Sequence, residues 1–276
     1  MYLRMRKLLT ACLLTLAGTA HAQSYKELVT RGLHLMEVDS LSAAEASFRQ
    51  AMLQEPGQKS NALLYRHIGE IQECQGKMHE ALESYTTGIN LSPSTESLLM
   101  HRASLYLRLG NDEQAIADYG RILELSKDNK EALFFRAWLY AKRRDYKGAR
   151  ADYDHLLQLD PVHEEALQGL AILNTKDGRP REAMEQLNNL VLFFPDHAVN
   201  YVLRGGVHQD RKNYELALFD FNKAIELEPQ NPEHYISRAS CYIGMKRKKQ
   251  ARKDLNDAAL LNGDRRVIAE LMAQMK

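Results

Sequence analysis

Apolar and small residues recur along this chain with a period of 34. The segments that close at Pro161, Pro195 and Pro229 superimpose at that spacing, which suits two helices joined by a turn. Extended both ways, the pattern sets units starting at Tyr25, Ala62, Glu96, Lys130, Glu164, Ala198 and Pro232. The first step is 37 residues and the other five are 34, so Lys59, Ser60 and Asn61 read as a small loop insertion.

Counted from each unit start, the eighth place holds Gly32, Gly69, Ala103, Ala137, Ala171, Gly205 and Ala239. The twentieth is alanine throughout: Ala44, Ala81, Ala115, Ala149, Ala183, Ala217 and Ala251. Two small residues either side of a polar turn let antiparallel helices approach closely. The twenty-fourth place carries Phe48, Tyr85, Tyr119, Tyr153, Leu187, Phe221 and Leu255, bulky groups expected to fill the gap towards the next hairpin. Pro56, Pro93, Pro161, Pro195 and Pro229 close five units, because a proline ring without an N–H ends a helix. Beyond the last unit, Val267, Ile268, Leu271 and Met272 lie at helical spacing and predict a capping helix.

This order of small residue, aromatic, alanine, aromatic and proline resembles the tetratricopeptide repeat family over about residues 25–265. The family's tryptophan near the unit start is missing, and Gln72, Asn174 and His208 replace the usual aromatic of the first helix. The resemblance implies an all-α chain: a right-handed α-α superhelix of about seven hairpins over residues 23–265, with residues 266–276 as its C-terminal cap. The first helices would line a concave groove through Met100, Leu107, Phe134, Trp138, Ile172, Val202, Ile236 and Ile243. Trp138, the only tryptophan, with Phe134 one turn earlier, is the expected anchor for a protein or peptide. Co-chaperones of the family hold a terminal carboxylate with Lys and Asn at the fifth and ninth places. Here the fifth places are Val29, Arg66, Met100, Phe134, Gln168, Val202 and Ile236, which argues against a chaperone-tail receptor.

A second pattern runs inside the first. The seventh place is arginine in five units, and in four of these the twenty-third is aspartate: Arg102 with Asp118, Arg136 with Asp152, Arg204 with Asp220, and Arg238 with Asp254. Ile68 and Leu170 face Ser84 and Gln186 instead, and Arg31 faces Ser47. Such co-occurrence predicts that a guanidinium fork bridges the two helices of one hairpin.

Composition narrows what remains. With 45% hydrophobic residues, only 7 prolines and 26% charged residues, the chain has the makings of a packed helical core. Arg4, Arg6 and Lys7 precede an apolar run from Leu8 to Ala17 and the triplet Ala20-His21-Ala22, the layout of a secretory signal over residues 1–22. Leu9-Thr10-Ala11-Cys12 offers a rival lipoprotein reading. Without residues 1–22, the near balance of basic and acidic groups argues against a nucleic-acid partner. Cys74 and Cys241 then remain, too few for a disulfide framework.

Basic residues gather at the turns within hairpins, as Lys142, Arg143 and Arg144 and the run Lys246, Arg247, Lys248 and Lys249. They predict a basic edge able to meet an anionic membrane or glycan surface. No catalytic motif, cofactor loop or metal signature is present. His67 and His101 hold equivalent places, but two histidines alone make a poor metal site. The sequence therefore predicts an exported, cell-envelope scaffold, periplasmic in a bacterium, that is not an enzyme and needs no cofactor. The other function these residues allow is an accessory subunit of an envelope enzyme or transport assembly.

Overall fold

The structure is a computed structural model that describes residues 23–275. The expected signal segment, with Cys12, lies outside the described residues. Fifteen α-helices and no strand occur among the described residues, which is the all-α class expected. They pair as α1 (Tyr25–Glu37) with α2 (Leu41–Gln54), α3 (Asn61–Cys74) with α4 (Met78–Leu91), and α5 (Glu96–Arg108) with α6 (Asp112–Leu125). These three hairpins form one compact unit. A second unit, starting at Ser126, contains α7 (Lys130–Lys142) with α8 (Tyr146–Leu159), α9 (Glu164–Lys176) with α10 (Pro180–Phe193), α11 (Ala198–Asp210) with α12 (Tyr214–Leu227), and α13 (Pro232–Gly244) with α14 (Lys248–Leu260). It ends with α15 (Arg265–Ala273).

Local chemistry sets these boundaries. Ser24 and Glu27 close a capping box at α1, and Asn129, Asp145 and Asp264 accept from backbone N–H groups at the starts of α7, α8 and α15. Pro180 and Pro232 open α10 and α13, where no helical N–H partner is needed. The predicted insertion is one residue shorter than expected, because Asn61 is the first residue of α3. Its buried amide donates to the Glu55 carbonyl at 2.7 Å and its oxygen accepts from the Tyr25 hydroxyl at 2.9 Å.

Every hairpin turns in the same way. The fifteenth place has positive φ throughout: Asp39, Gly76, Gly110, Arg144, Gly178, Lys212 and Lys246. The next N–H then bonds back five residues, as Asn111 to the Tyr106 carbonyl at 2.8 Å and Arg247 to the Tyr242 carbonyl at 2.8 Å, the Schellman closure of a helix end. Only three of these positions are glycine, so the sequence pattern hides the shared turn.

The core follows the small places. All seven alanines of the twentieth place are fully buried, and so are the large residues of the twenty-fourth. Those large side chains fold back onto the eighth place of their own hairpin before reaching the next. A Cβ at Gly69 would fall 2.3 Å from the Tyr85 ring, and one at Gly32 2.4 Å from Phe48. The ring tips meet the sixth place of the following hairpin, where Phe48 stacks on His67 at 5.5 Å and Tyr85 reaches His101 at 5.8 Å. The gap-filling expectation was thus incomplete, because each ring serves two contacts. At the end of the second unit, Val267, Ile268, Leu271 and Met272 of α15 cover Ile236, Ala251 and Leu255.

Candidate functional site

The predicted charge pairs form as two-pronged bridges inside four hairpins. Arg102 donates to Asp118 at 2.8 and 2.7 Å, Arg136 to Asp152 at 2.7 and 2.7 Å, Arg204 to Asp220 at 3.0 and 2.6 Å, and Arg238 to Asp254 at 2.8 and 2.8 Å. The four carboxylates are buried. Three of the arginines also donate backwards to the preceding hairpin, to Thr86 at 3.0 Å, Asn188 at 3.1 Å and Asn222 at 2.7 Å. These residues hold the array together, and the chemistry they perform is positioning.

A concavity on the predicted groove lies in the second unit, around Trp138. It has a volume of about 790 Å³ and is lined by Trp138, Ile172 and Leu173, with Tyr153 beneath and Lys142, Arg144 and Lys176 at the margin. Trp138 and Ile172 share the ninth place of consecutive first helices, and each keeps about two-fifths of its surface exposed (42% and 40%). The floor exists because the sixth place is Gly169: a Cβ there would sit 2.5 Å from Tyr153 Cζ. Burial pushes the Tyr153 hydroxyl up to about 12. Lys142 Nζ stands 5.5 Å from the centre of the Trp138 ring, a cation–π contact that steadies the indole.

Other predicted groove residues are placed differently. Phe134 is half-buried and stacks on His163 at 5.9 Å, with Tyr153 at 6.4 Å, so Ile172 rather than Phe134 is the partner of Trp138 at this cavity. Val202 lines a smaller hollow of about 370 Å³ that Val267 and Leu271 of α15 help to close. Ile236, expected to face a partner, is instead 7% exposed and packed beneath α15; Ile243 joins the same cluster. The terminal helix takes the apolar surface that a ligand would have used. In the first unit Met100 and Leu107 are half-buried.

Lys142, Arg143, Arg144, Lys246, Arg247, Lys248 and Lys249 are exposed at the turns within their hairpins and at the start of α14. Arg247 is engaged by Glu215 at 3.0 Å. Burial of Cys241 pushes its thiol up to about 11, which suits an inert core sulfur, whereas Cys74 is exposed.

A polar cluster in the first unit was missed from the sequence. Glu70 lies between the two histidines, 3.0 Å from His67 and 2.9 Å from His101, and takes an ion pair from Arg66 at 2.8 Å. Burial raises its carboxyl, but hydrogen bonds from His101 and His67 and the charge of Arg66 prevail and bring it down to about 2. The bond to Glu70 in turn raises His101 against the opposing effect of burial. The spacing from His67 to Glu70, three residues on one helix, was the available signal. Nearby, the Tyr85 hydroxyl donates to Glu73 at 2.5 Å, and Glu73 also meets Arg108. Among the described residues no group of three His, Cys, Asp or Glu side chains is arranged to hold a metal, and no helix is long and apolar enough to cross a membrane.

Comparison with known proteins agrees with this architecture. Tetratricopeptide repeat profiles match residues 100–164, 140–203 and 209–275. Mouse superkiller complex protein 3 is 34% identical over 91 residues, which is 33% of this chain and only 6% of that protein. A crystal structure of a tetratricopeptide repeat protein from Parabacteroides merdae is 30% identical, with a TM-score of 0.71 over 92% of this chain and 99% of that one. YrrB, described as a tetratricopeptide repeat protein with an unusual peptide-binding site, shares the fold at 18% identity and a TM-score of 0.52, over 68% of this chain and 97% of that one. With repeats matched over more than half its length and a relative of this identity covered almost end to end, the chain belongs to the tetratricopeptide repeat family.

Proposed function

We propose that this protein is a non-catalytic interaction scaffold that binds an extended peptide or protein segment, with the Trp138–Ile172 cavity as its principal anchor. The observation that carries the reading is the pair of large apolar side chains left exposed at one place of consecutive hairpins, over a floor opened by Gly169. By contrast, the predicted groove residue Ile236 is buried beneath α15. An apolar anchor in a concave site with a polar margin is the usual make-up of an interaction hot spot, and the fold is shared with a protein described as peptide-binding.

The single tryptophan supplies the test. Peptides selected from a random display library on the full chain are expected to shift Trp138 emission, and to lose about tenfold or more in affinity for Trp138→Ala and for Ile172→Ala. Selected peptides that bind both variants as well as the parent, with unchanged emission, would remove this cavity from the function.

The same proposal places the scaffold in the cell envelope. Its support is the basic start, the apolar run Leu8 to Ala17 and the triplet Ala20-His21-Ala22. N-terminal sequencing of the protein from fractionated bacterial cells is expected to begin at Gln23; an intact Met1 in the cytosolic fraction would sink the export reading.

A further inference from the structure

We infer that the outer face of α12 and α14 docks on an anionic lipid bilayer. This surface is separate from the Trp138 cavity and does not depend on it. α14 opens with Lys248 and Lys249, and Arg252 and Lys253 follow one turn later, all four exposed. That is the positive end of the helix dipole, where carboxylates are favoured and cations are not. The helices α4, α6, α10 and α12 carry an acid in the first turn, as Glu80, Asp112, Glu182 and Glu215; α14 carries none, as do α2 and α8, but α14 alone of these three opens with two adjacent lysines. Lys248 with Arg252, and Lys249 with Lys253, are moreover like charges four residues apart, an arrangement that weakens a helix.

Among the described residues none of these four cations closes an ion pair. Asp254 is committed to Arg238 at 2.8 Å, and Asp257, one turn beyond Lys253, closes no ion pair with it. The end of a helical array needs a polar outer face for solubility, but mixed charges serve that purpose as well. Two lysines at the unfavourable end of a dipole, with two further cations one turn on, therefore point to an external anion.

The neighbouring helix decides which kind of anion. Phe219 holds the same place in its hairpin as Lys253 does in the next, so both belong to the outward face of consecutive second helices. Phe219 is 66% exposed and Leu216 53%, and the bond from Arg247 to Glu215 ties the start of α12 to the turn before α14. A row of cations beside exposed aromatic and aliphatic groups matches the bilayer interface, where phosphates meet the lysines and the apolar groups enter the acyl boundary. A soluble polyanion would leave Phe219 and Leu216 in water.

Vesicle flotation of the full chain tests this, comparing phosphatidylglycerol-rich with pure phosphatidylcholine vesicles. Flotation is expected only with the former and is expected to fall with added salt. The K248Q/K249Q/R252Q/K253Q variant is expected to lose binding by about tenfold or more, and Leu216→Ser with Phe219→Ser severalfold. The charge variant should melt at the parent temperature or above, since repulsion is relieved. Lower melting would show that the cations are structural, and equal flotation on both lipids, or none, would end the proposal. An apolar variant that floats like the parent while heparin strips both would replace the bilayer with a soluble polyanion and overturn it too.

Discussion

The α11–α12 and α3–α4 hairpins solve one problem with different chemistry. In the first, Arg204 from the seventh place bridges to buried Asp220, 1% exposed. In the second, the seventh place is Ile68, and the link to the second helix comes from one turn later: the Ser84 hydroxyl donates to Gln72 at 2.7 Å. The α9–α10 hairpin repeats the neutral version, with Asn174 donating to Gln186 at 2.9 Å. Gln72 and Asn174 therefore depart from the family aromatic for a reason. When arginine is absent, the eleventh place supplies the polar partner that the twenty-third place requires. A polar cross-link from these places is kept in six of the seven hairpins, and in two of the six it carries no charge. α1–α2 has neither version, since Arg31 turns to Gln23 at 3.2 Å and Ser47 bonds its own helix at the Ala43 carbonyl at 2.9 Å.

Breaking the charged version should have the largest effect. Asp220→Ala leaves Arg204 without its buried partner and is expected to cost about 3 kcal/mol in denaturant unfolding. Replacing Arg204 and Asp220 together with leucine should cost less than the single change, because no uncompensated charge remains. If the double variant is the weaker one, the pair is worth more than its desolvation. In the neutral version Ser84→Ala is expected to cost about 1 kcal/mol, since only an amide loses its partner. Equal losses at the two sites would erase the distinction.

A pH series separates the regions further. The α3–α4 hairpin lacks an arginine–aspartate cross-link, but Glu70 of α3 bonds His101 of α5. The folded protein raises His101 above its ordinary value, so its contribution is complete below about pH 6.5 and fades as pH rises through the higher folded value. The stability advantage of the parent over His101→Gln should therefore shrink as the pH rises above about 6.5 in matched urea melts. Glu70 works in the opposite sense. Its lowered carboxyl, near 2, contributes above about pH 4.5 and is lost on acidification towards 2. A constant difference across the series would mean that His101 acts by packing on Tyr85 alone. The smallest effect concerns the turns: Lys212 holds the left-handed conformation that Gly110 holds elsewhere (φ 62° against 76°). Lys212→Gly should raise stability by about 0.5 kcal/mol, the relief of backbone strain being partly offset by the added freedom of the unfolded chain.

Much of the architecture was readable beforehand because repetition multiplies weak signals. Ala149 alone says little, but seven alanines in phase fix which helix faces approach, and the Arg–Asp pairs emerged from the same alignment of the chain with itself. Contacts made once left no such trace. Glu70 between two histidines and the burial of Ile236 beneath α15 each join residues that no periodicity links, whereas the backward donations to Thr86, Asn188 and Asn222 all run from the seventh place to the residue 16 positions earlier and went unread. The candidate cavity was half legible: Trp138 and Ile172 were on the expected face, but Gly169 drew no notice as an absence of side chain.

By itself the sequence determined the helix pairs, their boundaries and the small residues between them, because these depend on local propensity and on a pattern repeated many times. Tertiary structure alone decided which exposed positions remain available, since availability depends on what the neighbouring hairpin or α15 already covers. It also decided where charge is neutralised and where it is left facing solvent, because an ion pair is a matter of distance in space rather than of spacing along the chain.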